Sequence, residues 1–147
     1  ISGTGGLTKQ GTGVFTLSGA NTHAGVTTVF GGTLVVAHSA ALGTTAGGTS
    51  VSTGAILELS GGVAVGDEAL ALASGALLRQ ASGNNSYGGA ISGGGQLRVA
   101  GGQLTLSGTS ANTYTGGTLI DSGTVILGKS AGVTALPGAV TVGDGSG

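Results

Sequence analysis

The amino-acid sequence predicts an all-β chain wound as a single-stranded parallel β-helix of roughly six or seven rungs. Three observations carry this reading. A block of sequence is written twice. Short runs of β-forming residues recur about every 8 to 12 positions. Glycine, 35 of 147 residues, punctuates those runs.

The block Gly6 to Gly25 returns as Gln96 to Gly116. Ile1 matches Ile91 at an offset of 90, Leu17 matches Leu106 at 89, and Asn21 matches Asn112 at 91. The two inserted residues, Thr109-Ser110, fall in a turn, so strands keep their register while turns absorb length. A stack of rungs tolerates this because only the strands touch their neighbours. The chain then reads as a single β-helix segment over 1–147, with repeat copies at 1–43 and 91–136 and less regular rungs at 44–90.

Strands are expected, in order, at Leu7 to Lys9, Val14 to Leu17, Thr27 to Phe30, Thr33 to Ala37, Ser50 to Ser52, Ile56 to Leu59 and Val63 to Val65. They continue at Ala69 to Leu72, Ala76 to Arg79, Gly89 to Ile91, Gln96 to Val99, Gln103 to Leu106, Thr118 to Ile120, Thr124 to Leu127 and Val140 to Val142. Many alternate apolar with small polar residues, as in Ala55-Ile56-Leu57-Glu58-Leu59. That period of two gives one inward face. Glycines fit corners where φ is positive or backbone packs closely. Asn21 and Asn112 at matched turns are expected to bond their own backbone. A β-sandwich is the rival architecture. The 90-residue offset fits two sandwich-sized units, but the second would be truncated and the chain has no Trp.

Composition excludes several functions. Charged residues are 6% of the chain, far below the roughly 25% of ordinary domains. No apolar run approaches the roughly 20 residues of a membrane helix. With two Tyr, two Phe and no Trp, the chain lacks the aromatic girdles of a membrane barrel. Direct membrane insertion is therefore not expected. A net charge of −1 offers no field for nucleic acid. Cys is absent, which removes disulfides and thiolate metal sites.

Candidate chemistry is thin. Gly123-Thr124-Val125-Ile126-Leu127-Gly128-Lys129-Ser130 satisfies the P-loop pattern, but its middle is a strand former and no helix follows, so no nucleotide or other cofactor is expected. Asp67 and Glu68 are adjacent, point to opposite sides of a strand, and read as a solvated turn. A carbohydrate lyase or hydrolase would need Glu58 or Asp121 to meet another acid or base across a sheet face. His23 and His38 are too few for a metal site, and His23 is expected in an exposed turn. Gly143-Asp144-Gly145-Ser146-Gly147 reads as a plain turn rather than a calcium site. No catalytic, metal or cofactor residue is assigned. The candidate surface contacts are Asn84, Asn85, Tyr87, Tyr114 and His23, the first three in a loop read as solvated.

The first copy resembles the autotransporter-associated β-strand repeat of bacterial passenger regions. The residues that carry the likeness are Gly6-Leu7-Thr8-Lys9, Gly11-Thr12-Gly13, Phe15-Thr16-Leu17-Ser18-Gly19, Ala20-Asn21-Thr22-His23-Ala24-Gly25 and Gly32-Thr33-Leu34. The second copy repeats it as Leu104-Thr105-Leu106-Ser107-Gly108 and Ala111-Asn112-Thr113-Tyr114-Thr115-Gly116. His23 stands where the repeat has Tyr, and the second copy lacks the Thr-Lys pair. The resemblance implies a right-handed winding and a cell-surface or secreted location after export across the outer membrane. It further implies a non-enzymatic stalk that supports adhesion or self-association, with partners among neighbouring rungs of a parent chain and surface glycans or proteins. The alternative is a filament or sheath subunit stacked end to end, since a cut β-helix exposes strand edges that template further strands.

Overall fold

The computed structural model describes residues 1–143. Among them the chain forms strands and turns and no helix. In order, the strands are β1 (Ser2–Gly3), β2 (Leu7–Lys9), β3 (Val14–Leu17), β4 (Thr22–His23), β5 (Thr27–Val29), β6 (Thr33–Val36), β7 (Thr49–Val51), β8 (Ile56–Leu59) and β9 (Ala64–Val65). They continue with β10 (Leu70–Leu72), β11 (Leu77–Gln80), β12 (Asn84–Tyr87), β13 (Ile91–Gly93), β14 (Gln96–Val99), β15 (Gln103–Gly108), β16 (Thr118–Ile120), β17 (Thr124–Lys129) and β18 (Val140–Val142).

Every pairing is parallel, and each strand pairs with its equivalent one rung away. This is a β-solenoid of about seven turns, counted by its longest sheet, β18-β16-β14-β11-β8-β6-β3. A five-stranded sheet, β13-β10-β7-β5-β2, forms a second face. The third face holds β1-β4 at one end and β17-β15-β12-β9 at the other. A turn at 38–44 stands between them: Asn21 N–H donates to Ala40 O, Thr44 N–H donates to His23 O, and Ala64 N–H donates to the Ser39 hydroxyl oxygen. One circuit takes 19 to 23 residues, as in Val14↔Thr33 and Thr33↔Ile56.

The core is a set of columns rather than a centre. Leu34, Leu57, Leu78 and Leu97 lie in one register, and Val36, Leu59, Gln80 and Val99 in the next inward one. All eight are fully buried. Each buried Leu or Val contributes about 1.5–3 kcal/mol, and stacking realises that gain because the residue below supplies the contact. In the terminal rungs the inward positions are uncovered, so Phe15, Leu127 and Val142 are exposed.

Corners bring backbones together. A Cβ at Gly89 would lie 1.9 Å from Glu68 O. Gly32, at φ +65, would place one 2.3 Å from Gly13 O. The corner asparagines act between rungs, which corrects the expectation of local turn bonds. Asn21 Oδ1 accepts from the chain's first amine and its Nδ2 donates to Ala41 O. Asn112 Oδ1 accepts from Ile91 N–H and its Nδ2 donates to Ala135 O. Each side chain thus ties the rung below to the rung above.

The two sequence copies do not lie on the same faces. The Leu-Thr-Leu run of the second copy lies in β15 on the third face, whereas its counterpart in the first copy, Phe15-Thr16-Leu17, lies in β3 on the seven-stranded face. Thr27–Val29 sits on the five-stranded face, and its counterpart Thr118–Ile120 on the seven-stranded one. The 90-residue offset therefore spans four circuits and one further face. Local contacts survive the shift: His23 Nε2 meets Thr27 Oγ1 at 2.9 Å, and Tyr114 Oη meets Thr118 Oγ1 at 2.6 Å.

Three strands were not expected: Ser2–Gly3, Thr22–His23 and Asn84–Tyr87. Asn84–Tyr87 is polar because it carries a corner network, described below. The strand expected at Gly89 to Ile91 starts instead at Ile91, since Gly88 and Gly89 turn the corner against Gly66 and Glu68.

Gly89→Ala is expected to cost about 2–3 kcal/mol through backbone displacement. Gly66→Ala in the same corner, with open space at its Cβ, is expected to stay within about 0.5 kcal/mol. Urea denaturation of the two variants checks this. Equal losses would show that the corner spacing is not set by the missing Cβ.

Candidate functional site

Inward polar side chains at the corners satisfy backbone groups that the turns release. Lys9 is buried, and its Nζ donates to Gln10 O, Gly11 O and Gly31 O at 2.9 Å each. Gln80 plays the same part at another corner, where its Nε2 donates to Ser82 O, Gly83 O and Gly101 O. Asn85 extends that network. Its Oδ1 accepts from Gly62 and Val63 N–H, and its Nδ2 donates to Gln80 Oε1 and Ser82 O.

These placements correct the surface contacts expected from sequence. His23, Asn85, Tyr87 and Tyr114 are all buried; of the five candidates only Asn84 is exposed. His23 sits in β4, not in an exposed turn, and its Nδ1 has no partner. Tyr87 Oη is also buried without a partner. The physical reason is their place in the winding. Strand alternation turns His23, Asn85 and Tyr87 inward, and Tyr114 points inward from a corner; Asn85 meets backbone, while His23 and Tyr114 each meet the threonine four residues on. A ring side chain four residues before a Thr recurs in both copies, as His23 with Thr27 and Tyr114 with Thr118, and could have marked these two positions as internal.

Glu68 likewise departs from the solvated turn expected of it. Asp67 is exposed, but Glu68 is buried and its Oε1 accepts from Thr49 Oγ1 at 2.8 Å. Burial raises its pKa above the ordinary carboxylate value, and the threonine hydroxyl offsets part of that. Burial raises Tyr87 well above the usual phenol, with the Glu68 charge adding to it. Burial raises Tyr114 too, opposed by the bond with Thr118. Lys129 is lowered by burial and partly restored by Asp67.

The P-loop-like run forms β17, a strand, and turns follow it. Lys129 Nζ donates to Ser107 O at 2.8 Å and Gly89 O at 3.3 Å, so it ties rungs rather than cradling phosphate. Among the described residues no three His, Cys, Asp or Glu side chains gather as a metal site. Asp144 to Gly147 of the expected C-terminal turn lie outside the described residues.

Outward-facing charge gathers on one face. Of the chain's four Lys and Arg and five Asp and Glu, Glu58, Arg79, Arg98 and Asp121 lie together on the seven-stranded face or its rim. Glu58, Arg79 and Arg98 share one outward column in consecutive rungs. Arg79 Nε donates to Glu58 Oε2 at 2.8 Å, and its Nη2 also meets that oxygen. Arg98 Nε donates to Asp121 Oδ2 at 2.5 Å. Glu58 and Asp121 thus each meet a base, as a carbohydrate-cleaving site would need in part. The two carboxylates stand three rungs apart, about 14 Å at strand spacing, beyond the roughly 5–9.5 Å that glycoside hydrolysis uses. Beside the charged column runs an uncharged one: Val14, Thr33, Ile56, Leu77 and Gln96. Ser50, Ala71 and Ser92 floor a groove of about 240 Å³ along the five-stranded face.

The Passenger-associated-transport-repeat family matches residues 7–36 and 101–127. The chain is 41% identical over 137 residues to the Adhesin BmaC autotransporter of Brucella suis biovar 1 (strain 1330). That alignment takes in 90% of this chain and 4% of the relative, so the chain spans a small part of that protein's length. No solved structure matches the chain.

Because the folded-state pKa of Glu68 is raised, its contribution to stability is full below the ordinary Glu pKa. It is lost as pH rises through the raised folded value. Glu68→Gln is therefore expected to be more stable than wild type at neutral pH, with the gap closing toward pH ~4. Urea midpoints across that window check this, and a gap that does not vary with pH would overturn it.

Proposed function

We propose that this chain, which carries two passenger-associated-transport repeats, is a non-enzymatic stretch of the β-helical stalk of an autotransporter passenger, displayed outside the outer membrane in support of adhesion. The observation that carries this reading is the joint one of repeat and architecture. The matched repeats specify corners and inward columns, and no catalytic constellation is built on top of them among the described residues. A rod of about seven rungs at about 4.8 Å each adds on the order of 30 Å of reach. Faces of Thr, Ser and Ala are suited to weak contacts with glycans or proteins, and the similarity to an adhesin supports a role in adhesion.

The rod is held by inter-rung ties, so removing one should loosen the stalk. Asn112→Ala leaves Ile91 N–H and Ala135 O without their bonds and is expected to cost about 2–4 kcal/mol, read as a lower urea midpoint.

The functional test is replacement in the parent protein. Exchange of residues 1–147 for an unrelated seven-turn β-solenoid should preserve adhesion of cells that display it, whereas in-frame deletion should reduce it. Loss of adhesion on exchange, with surface display intact, would show that this segment itself recognises a ligand and is not a spacer.

A further inference from the structure

We propose that the seven-stranded face is a self-complementary surface on which a second copy of this chain lies antiparallel. The proposal rests on the reading of the segment as an exposed rod, and adds a partner and a register to it.

The register follows from the order of side chains. On this face Ile56 and Glu58 lie in one rung, and Leu77 and Arg79 in the next. A two-fold axis parallel to the strands and midway between those rungs sets each rung against the other. Ile56 then meets the copy's Leu77, and Glu58 meets the copy's Arg79. One rung further out, Thr33 meets the copy's Gln96. Each contact occurs twice, as an isologous interface requires. The intrachain Glu58–Arg79 pair becomes a ring of four alternating charges in which every charge has two opposite neighbours.

Neighbouring registers are less favourable. Moving the axis by half a rung sets Arg79 on the copy's Arg79, or Glu58 on the copy's Glu58. Moving it by a whole rung toward the C-terminal end sets Arg79 on the copy's Arg98. Moving it a whole rung the other way sets Glu58 on the copy's Val35 and Arg79 on the copy's Thr16, so both cross-chain pairs are lost. Parallel alignment about the charged column sets each of its charges on its own copy. Like charges brought face to face cost several kcal/mol, so avoided repulsion and gained pairing together favour one arrangement. The overlap is about six strands by about 14 Å, on the order of 400 Å² per copy. That lies at the small end of specific interfaces. Affinity is therefore expected in the weak range of about 10 µM to 1 mM.

Sedimentation equilibrium on the purified chain tests this across that range at low salt. Wild type should show a monomer–dimer equilibrium. Glu58→Arg and Arg79→Glu should each weaken dimerisation at least about tenfold. Mixed in equal amounts they should associate with each other to within about threefold of wild type, because the two bases of one variant then face the two acids of the other. The doubly exchanged E58R/R79E variant keeps both the internal and the cross-chain pairing, so it should dimerise like wild type even if a single variant folds poorly. A wild-type chain that stays monomeric at 1 mM overturns the pairing. So does a mixture, or a doubly exchanged variant, that is folded by circular dichroism yet does not associate. Either result leaves the stalk reading standing, since that reading fails only if the segment exchange abolishes adhesion.

Discussion

The structure depends on one constraint: the backbone must return to the same place after each circuit, one strand spacing higher. Parallel hydrogen bonding between successive rungs enforces that return. It also places every inward side chain on top of its counterpart. Ladders such as Leu34–Leu57–Leu78–Leu97 are the consequence, and they replace the enclosed centre of a globular domain. Circuits vary from 19 to 23 residues because only strands are held in register. Corner turns take up the difference.

Corners are where this winding is vulnerable, since backbone amides and carbonyls leave their ladders there. Two devices manage the exposure. Glycine lets successive backbones approach closely, as Gly89 does over Glu68. Long or branched polar side chains reach inward to bond what remains. Lys9 and Gln80 cap carbonyls, while Asn21 and Asn112 bridge amide and carbonyl across rungs. An unpaired buried backbone group costs about 1–3 kcal/mol, so a few such residues decide whether a low-charge, aromatic-poor chain stays wound. Glu68 works against the fold at neutral pH, and its threonine bond only partly offsets the desolvation.

Architecture was legible in the sequence, and the internal roles of its polar residues were not. Alternation in Ile56–Leu59 or Gln96–Val99 identifies a strand and its inward face directly. His23, Asn85, Tyr87 and Tyr114 read as surface groups because polarity normally signals solvent. In this fold polarity also signals a corner, where Asn85 bonds the backbone of an adjacent rung and His23 and Tyr114 each meet a threonine four residues on. Glu58, Arg79 and Arg98 are 19 to 21 residues apart along the chain. Their alignment in one column becomes visible only once the circuit length is known, and that length varies.

The copies lie one face apart yet make the same local contacts, which means that the three sides of the winding are interchangeable to the residues that build them. A tandem duplication of this block therefore need not equal a whole number of circuits to be accommodated. It would, however, swing everything beyond it by a third of a revolution. Gain or loss of a copy in such a chain changes reach and aim together: the distal portion moves outward and at the same time presents a different side to whatever it meets.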